Sequence, residues 1–347
     1  MPLKSDFVRI AGDFGAYRLA RRLCRYQPRI LMFHRFSDRP RKGWASADVF
    51  RTQVRHLKRY YTPLTMVELV QGLFEGRSLP ANAIVITVDD GYRDFYEIAY
   101  PILKEESVPA TFFITTGFVN GDLWLWPDQV SWLFGQDFEL RDEILLGDVC
   151  LRRGAYDEGG RDRVAQSLVA RFLVIPDEQK QAEISRLAEA LGKNLPEDAP
   201  VGYQAATWSQ VAEMAANGVE IGGHTVTHPS LGTVDYDRAA WEISRSMADI
   251  KRHLGEAPRT FCYPNGMPSD HQDFLPGLVS RAGFSGACVA FPDALGTSLR
   301  YGLRRHVGGD NMFQFHKGVS GMEYLGHRLK RSVRLSPEAF SPKFKIT

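Results

Sequence analysis

Short apolar, β-branched runs recur along the chain at residues 30–33, 83–88, 110–115, 219–221, 260–263 and 286–290, separated by segments of helical periodicity. Nearly continuous apolar strands alternating with helices predict a parallel sheet covered on both faces. Between two of the runs, Ala240, Ile243, Met247, Ile250 and Leu254 recur at steps of three and four. They form one apolar stripe on a helix that Gly255 should end, and the helix should pack on the outside of the sheet. Residues from about 120 to 205 break this rhythm. Their start is rich in tryptophan (Trp124, Trp126, Trp132) and residues 161–192 are charged and helical, so the segment reads as an insertion.

The 347 residues suit about two domains or one large α/β barrel. With 44% hydrophobic and 24% charged residues the chain can bury a sizeable core, which excludes a disordered or collagen-like protein. A net charge of +2 gives no reason to expect a nucleic-acid partner. Cys24, Cys150, Cys262 and Cys288 lie far apart without a C-x-x-C pair, so they read as free thiols rather than a disulfide framework. No apolar run approaches the roughly 18 residues of a membrane span. Arg9, Arg18, Arg21, Arg22 and Arg25 interrupt the start of the chain, leaving no apolar stretch of a signal peptide, so a cytoplasmic location is expected. Ile10, Phe14 and Tyr17 share helical spacing beside those arginines. A helix docked on the domain with its arginines in water is the plainer reading, and peripheral contact with an acidic membrane through the basic termini the sharper one. The chain thus divides into a basic helical segment (1–27), a main domain (28–315) containing the insertion, and a basic extension (316–347).

The run at residues 83–88 leads directly into Asp89-Asp90-Gly91. Two adjacent carboxylates at the end of a buried parallel strand sit where such sheets place active sites, and their repulsion calls for a cation. Because neighbouring strand residues point to opposite faces, one aspartate can hold a metal while the other acts as a base. The plain alternative is a turn with one carboxylate capping the next helix. A second strand end carries Gly222-Gly223-His224-Thr225-Val226-Thr227-His228-Pro229, whose two imidazoles can share a face in one helical turn or in a tight loop. One aspartate and two histidines leave a coordination position open, the format of catalytic zinc and equally of non-haem iron.

Thr87-Val88-Asp89-Asp90-Gly91, His224-Thr225-Val226-Thr227-His228-Pro229 and Arg259-Thr260-Phe261-Cys262-Tyr263-Pro264-Asn265-Gly266 resemble, in order and spacing, the first three motifs of the NodB-homology polysaccharide deacetylases. The likeness extends over residues 28–310, including Tyr92-Arg93-Asp94 and Val108-Pro109-Ala110-Thr111-Phe112-Phe113. It implies an α/β fold, an irregular (β/α)7 barrel, here with a largely helical insertion. It also implies metal-dependent removal of acetyl from an N-acetylated amino sugar. By this resemblance Asp90, His224 and His228 hold one divalent ion, zinc first, with cobalt, nickel or manganese as alternatives. Asp89 takes a proton from the attacking water and the N–H of Asn265 serves the oxyanion. Tyr263, Pro264 and Trp126 are the candidate contacts to the sugar.

Two departures bear on the mechanism. The arginine that many members place before the proline of the third motif is absent here, where Cys262-Tyr263 stand. One branch of the family supplies an arginine from a later strand, and Leu303-Arg304-Arg305-His306 resembles that strand, with Arg305 aligned. No late Leu-x-His is clear either, whereas residues 30–34, Ile-Leu-Met-Phe-His, resemble the opening of the branch in which an N-terminal strand delivers the acid histidine. His34 is the expected acid, with His306 and His316 as substitutes. Competing readings are an O-acetyl esterase, an iron enzyme using the same triad, and a carbohydrate-binding relic in which the tryptophans stack on sugar. The tryptophans read as readily as the core of the insertion. A cytoplasmic chain would meet a nucleotide sugar, a lipid-linked sugar or a polysaccharide precursor.

Overall fold

The computed structural model describes residues 15–140, 143–146, 148–152, 154, 156–270, 272–291 and 299–326. Arg9, Ile10 and Phe14 of the basic start, and the extension after residue 326, lie outside the described residues. In chain order the strands are β1 (Arg29–Phe33), β2 (Phe36–Ser37), β3 (Ala45–Ser46), β4 (Thr62–Leu64), β5 (Ala83–Val88), β6 (Thr111–Ile114), β7 (Ile144–Leu146), β8 (Val149–Leu151), β9 (Glu220–Gly223), β10 (Thr260–Cys262), β11 (Gly286–Cys288) and β12 (His306–Val307). All six apolar runs form strands. The strands too short to show a period, such as Thr62–Leu64 and His306–Val307, are those the apolar pattern does not predict.

Seven strands run in the order β11-β10-β9-β6-β5-β1-β12, all pairs parallel, with β4 added beside the start of β5. The two ends of this path are bridged by one segment. Leu303 pairs with Cys288 of β11, and three residues later His306 pairs with Leu31 of β1. The sheet is therefore curled into the expected barrel, whose inside and outside follow from strand parity. Ile30, Val85, Phe113, Cys262, Cys288 and Leu303 meet inside, where Met66, Leu69 and Val70 of the helix Met66–Phe74 plug one end. Leu31, Ile84, Ile86, Val88, Phe112 and Ile221 face outward into the layer covered by helices. Gly222 must lack a side chain, because a Cβ there would lie 2.4 Å from the Phe113 ring.

The helix Tyr236–Leu254 ends at Gly255, whose φ of 80° is the left-handed cap expected of glycine. Its buried face is more polar than the apolar stripe implies, since Glu242, Ser246 and Asp249 are buried beside Ile243 and Ile250. The helices Trp126–Gly135, Glu158–Phe172 and Asp177–Ala190 enclose a core of their own together with the β7-β8 hairpin. Trp126, only 7% exposed, belongs to that core with Phe172 and Leu187, and Lys180 lies 5.2 Å from its ring centroid. The expectation that Trp126 stacks on a sugar is corrected: its ring is covered by the insertion's own side chains. The helix Ala16–Leu23 carries Tyr17 against His316 of the helix Met312–Val319, with ring centroids 5.4 Å apart, and so docks on the barrel.

Candidate active site

Beyond β5 the chain turns sharply, with φ of 77° at Asp90 and 108° at Gly91. Asp89 still accepts the strand pattern, its N–H donating to Phe33, while the Asp90 carbonyl accepts from Thr115. Parity continues Val85 and Thr87 into Asp89, so that carboxylate points into the mouth of the barrel. Asp90 leaves the strand and turns toward the loop after β9. There Asp90 Oδ1 lies 3.3 Å from His224 Nε2 and 3.2 Å from His228 Nε2, and all three side chains are buried. Of the two arrangements open to the histidines, the chain takes the loop, with φ of 67° at Thr225 and 58° at His228. Glu242 shapes it from the neighbouring helix. Its buried carboxylate accepts from the N–H groups of Val226 (2.7 Å) and Thr227 (3.0 Å) and from the Thr227 hydroxyl (2.5 Å).

This cluster fits a divalent ion. The His224 Nδ1 lies 2.7 Å from the Cys262 carbonyl oxygen, which can only accept, so the proton sits on Nδ1 and the Nε2 lone pair is free toward Asp90. One carboxylate oxygen and two imidazole nitrogens within 4.8 Å of one another match the donors of a zinc-type site.

Asp89 is clamped from the far side of the barrel. Arg305 Nη1 and Nη2 each donate to one carboxylate oxygen at 2.7 Å. The guanidinium also donates to the Val289 carbonyl, the Thr87 hydroxyl and the Cys262 sulfur at 2.9, 2.9 and 3.0 Å. Burial would raise the Asp89 carboxyl, but the charge and hydrogen bonds of Arg305, helped by His34 and His224, bring it below its ordinary value. The closing segment 303–307 explains why Arg305 serves rather than its neighbour: Leu303 and Arg305 share the inward face, whereas His306 faces out to Glu323, 2.9 Å away. His34 extends the inward row of Ile30 and places Nε2 3.6 Å from Asp89 Oδ2, with 44% of its side chain open to solvent.

Asn265 lies in the turn after β10 with φ of 58°, and its buried Nδ2 has no hydrogen-bond partner. The two expected sugar contacts beside it are buried. Tyr263 follows Phe261 outward by parity, packs on Phe261 and Phe284, and donates its hydroxyl to the Tyr301 carbonyl at 3.1 Å. It is only 1% exposed and supports the turn rather than meeting a sugar. Pro264 is buried in the same turn. The substitute acids are also misplaced, His306 by its outward pairing with Glu323 and His316 by its stacking on Tyr17.

Beside the aspartates lies a group the motifs did not single out. The guanidinium of Arg35 is sandwiched 3.9 Å from the Trp44 ring and 3.8 Å from the Tyr92 ring, with Asp94 at 2.7 Å and Asp128 at 3.7 Å. Tyr92 donates its hydroxyl to Asp128 at 2.7 Å, tying the insertion to the Asp89-Asp90 turn. Burial pushes Asp128 up to about 7 against the pull of Arg35, and Asp94 up to about 6. Nothing local in the sequence links Asp128 to Tyr92, although the quoted segment Tyr92-Arg93-Asp94 contains half of the group.

Residues 76–141 and 190–275 match the polysaccharide deacetylase family, and the unmatched stretch between them holds the two long helices of the insertion. A poly-beta-1,6-N-acetyl-D-glucosamine N-deacetylase of Staphylococcus aureus is 38% identical over 76 residues, which are 22% of this chain and 26% of that relative. The Escherichia coli protein of the same description is 38% identical over 50 residues, 14% of this chain and 7% of its own length. The chain thus matches about a quarter or less of the length of these relatives. Among solved structures, the deacetylase PplD of Streptococcus pyogenes in complex with acetate superposes with a TM-score of 0.55 at 18% identity, covering 85% of this chain and 96% of that one. IcaB from Ammonifex degensii gives 0.51 at 18% identity over 85% and 97%. The chain shares the fold of these solved deacetylases, as its motifs implied.

Proposed function

We propose that the chain hydrolyses the N-acetyl amide of an amino sugar in a polysaccharide or a precursor glycan. The observation that carries this reading is the juxtaposition of two differently equipped carboxylates. Asp89 is clamped by Arg305 with His34 beside it, and Asp90 is gathered with His224 and His228. Asp90, His224 and His228 would hold a divalent ion, which when bound would supply Lewis-acid activation of water and of the acetyl carbonyl. Asp89, kept ionised by Arg305, accepts the proton of the attacking water. Arg305 cannot take that proton and serves to aim the carboxylate. His34, at the open edge of the site, gives a proton to the departing amine nitrogen, which cannot leave an acetamide as an anion. The N–H of Asn265 stabilises the oxygen on which negative charge develops. The names of the relatives, poly-beta-1,6-N-acetyl-D-glucosamine N-deacetylases, make a β-linked N-acetylglucosamine polymer the first substrate to test.

The test is acetate release by the purified protein from N-acetylated and O-acetylated oligosaccharides and lipid-linked sugars, before and after chelation and zinc return. Release from the N-acetylated set that is lost with chelator and regained with zinc is expected. Well-folded, zinc-supplied protein that frees acetate only from the O-acetylated set, or from neither, refutes the reading.

A further inference from the structure

A second site lies at the opposite end of the barrel, where Tyr61 leads into β4. A cavity of about 520 Å³ opens there between the helix Ala16–Leu23, the end of the helix Ala47–Tyr60 and the helix Met312–Val319. Among the described residues its lining contains three guanidiniums, Arg18, Arg21 and Arg59, and two imidazoles, His56 and His316, but no carboxylate. The aromatic walls are mutually braced. The His56 and His316 rings meet at 4.6 Å, and the Arg21 guanidinium lies 4.5 Å from the Tyr60 ring centroid. Burial, then the nearness of His316 and Arg21, pushes His56 down to about 4, so its imidazole is neutral at pH 7 among cations that no acid of the described lining balances. Such a concave excess of positive charge complements a compact anion, and guanidinium forks match the paired oxygens of phosphate.

We propose that this cavity binds a phosphate-bearing ligand, a phosphomonoester or diphosphate, at a site separate from the aspartates. The ligand's source is either a free phosphorylated molecule or a lipid headgroup. The lining helix also exposes Leu19 and Leu23, at 60% and 66%, in a position to meet a lipid surface.

The full chain is titrated calorimetrically with inorganic pyrophosphate, and sedimented with phosphatidylcholine vesicles with or without phosphatidic acid. Saturable pyrophosphate binding supports a soluble source, and retention on phosphatidic acid vesicles alone supports the headgroup. Arg21→Gln should weaken the binding at least about tenfold, the worth of one charge-assisted contact. Arg59→Gln, at the exposed rim, should weaken it too, and it serves where Arg21→Gln fails to fold. Arg22→Gln, on the same helix but outside the cavity, should leave affinity within about twofold, the ordinary scatter of surface charges. His228→Ala, which breaks the cluster that would otherwise hold a chelated ion, should bind pyrophosphate as the parent does. Absence of binding to both probes, equal weakening by Arg21→Gln and Arg22→Gln, or loss in His228→Ala overturns the proposal.

Discussion

Replacing Arg305 by methionine, which keeps much of the bulk and removes the charge, should strand Asp89. The two side chains are 1% and 2% exposed, joined by two 2.7 Å hydrogen bonds. Removing one partner of a buried pair costs about 3–5 kcal/mol, because the remaining charge is left in a poorly solvated site. That is a large part of the roughly 5–15 kcal/mol that holds a typical domain together. In the parent, Asp89 is held below its ordinary value. Its contribution to stability is therefore present above the unfolded carboxyl value of about 4 and lost only as pH falls through the lower folded value. In Arg305→Met, burial loses its main opponent and only His34 and His224 still act against it, so the Asp89 carboxyl rises, and the deficit is largest at neutral pH and shrinks as acid protonates it. Urea denaturation at neutral and at mildly acidic pH measures both quantities. The double variant Asp89→Asn/Arg305→Met removes the stranded charge and should regain most of the loss, a coupling that neither single change contains. The acid limb of the acetate-release profile should move to higher pH in Arg305→Met, since a protonated Asp89 accepts no proton. A single variant within about 0.5 kcal/mol of the parent, the scale of an exposed pair, would refute the reasoning. So would a double variant no more stable than Arg305→Met.

The remaining expectations concern the other parts of the site. Asp89→Asn should keep the metal and abolish turnover, whereas Asp90→Asn and His228→Ala should lose metal by elemental analysis. Equal metal loss in Asp89→Asn would contradict the division of roles. His34→Ala should leave metal content intact and slow acetamide hydrolysis about 10²–10⁴-fold, the usual worth of a positioned acid. An activated aryl acetate, whose leaving group departs unprotonated, should suffer far less, and an equal loss on both substrates would make His34 structural. Glu242→Ala removes the acceptor of three hydrogen bonds in the histidine loop, each left unmade at about 1–3 kcal/mol. It should weaken metal affinity as well as stability, and unchanged zinc binding would show that the loop holds its shape without Glu242.

The adjacent carboxylates, the histidine pair and the barrel strands were legible in the sequence because each depends on a few consecutive residues. Alternation and spacing decide locally which way a side chain points and what it can share a face with. Resemblance to known motifs extended the reading to His34 and Arg305, but the residues alone supplied no reason for the pairing of Arg305 with Asp89 across 216 positions. That reason is tertiary. The segment 303–307 bridges β11 to β1, and its parity turns Arg305 inward and His306 outward. Closure likewise decided that Tyr263 and Trp126 are buried supports, because burial depends on what covers a side chain and not on its type. The Arg35, Asp94, Asp128 and Tyr92 group joins β1, the turn after β5 and the insertion. Its carboxyl shifts arise from burial and neighbours that exist only once those segments meet.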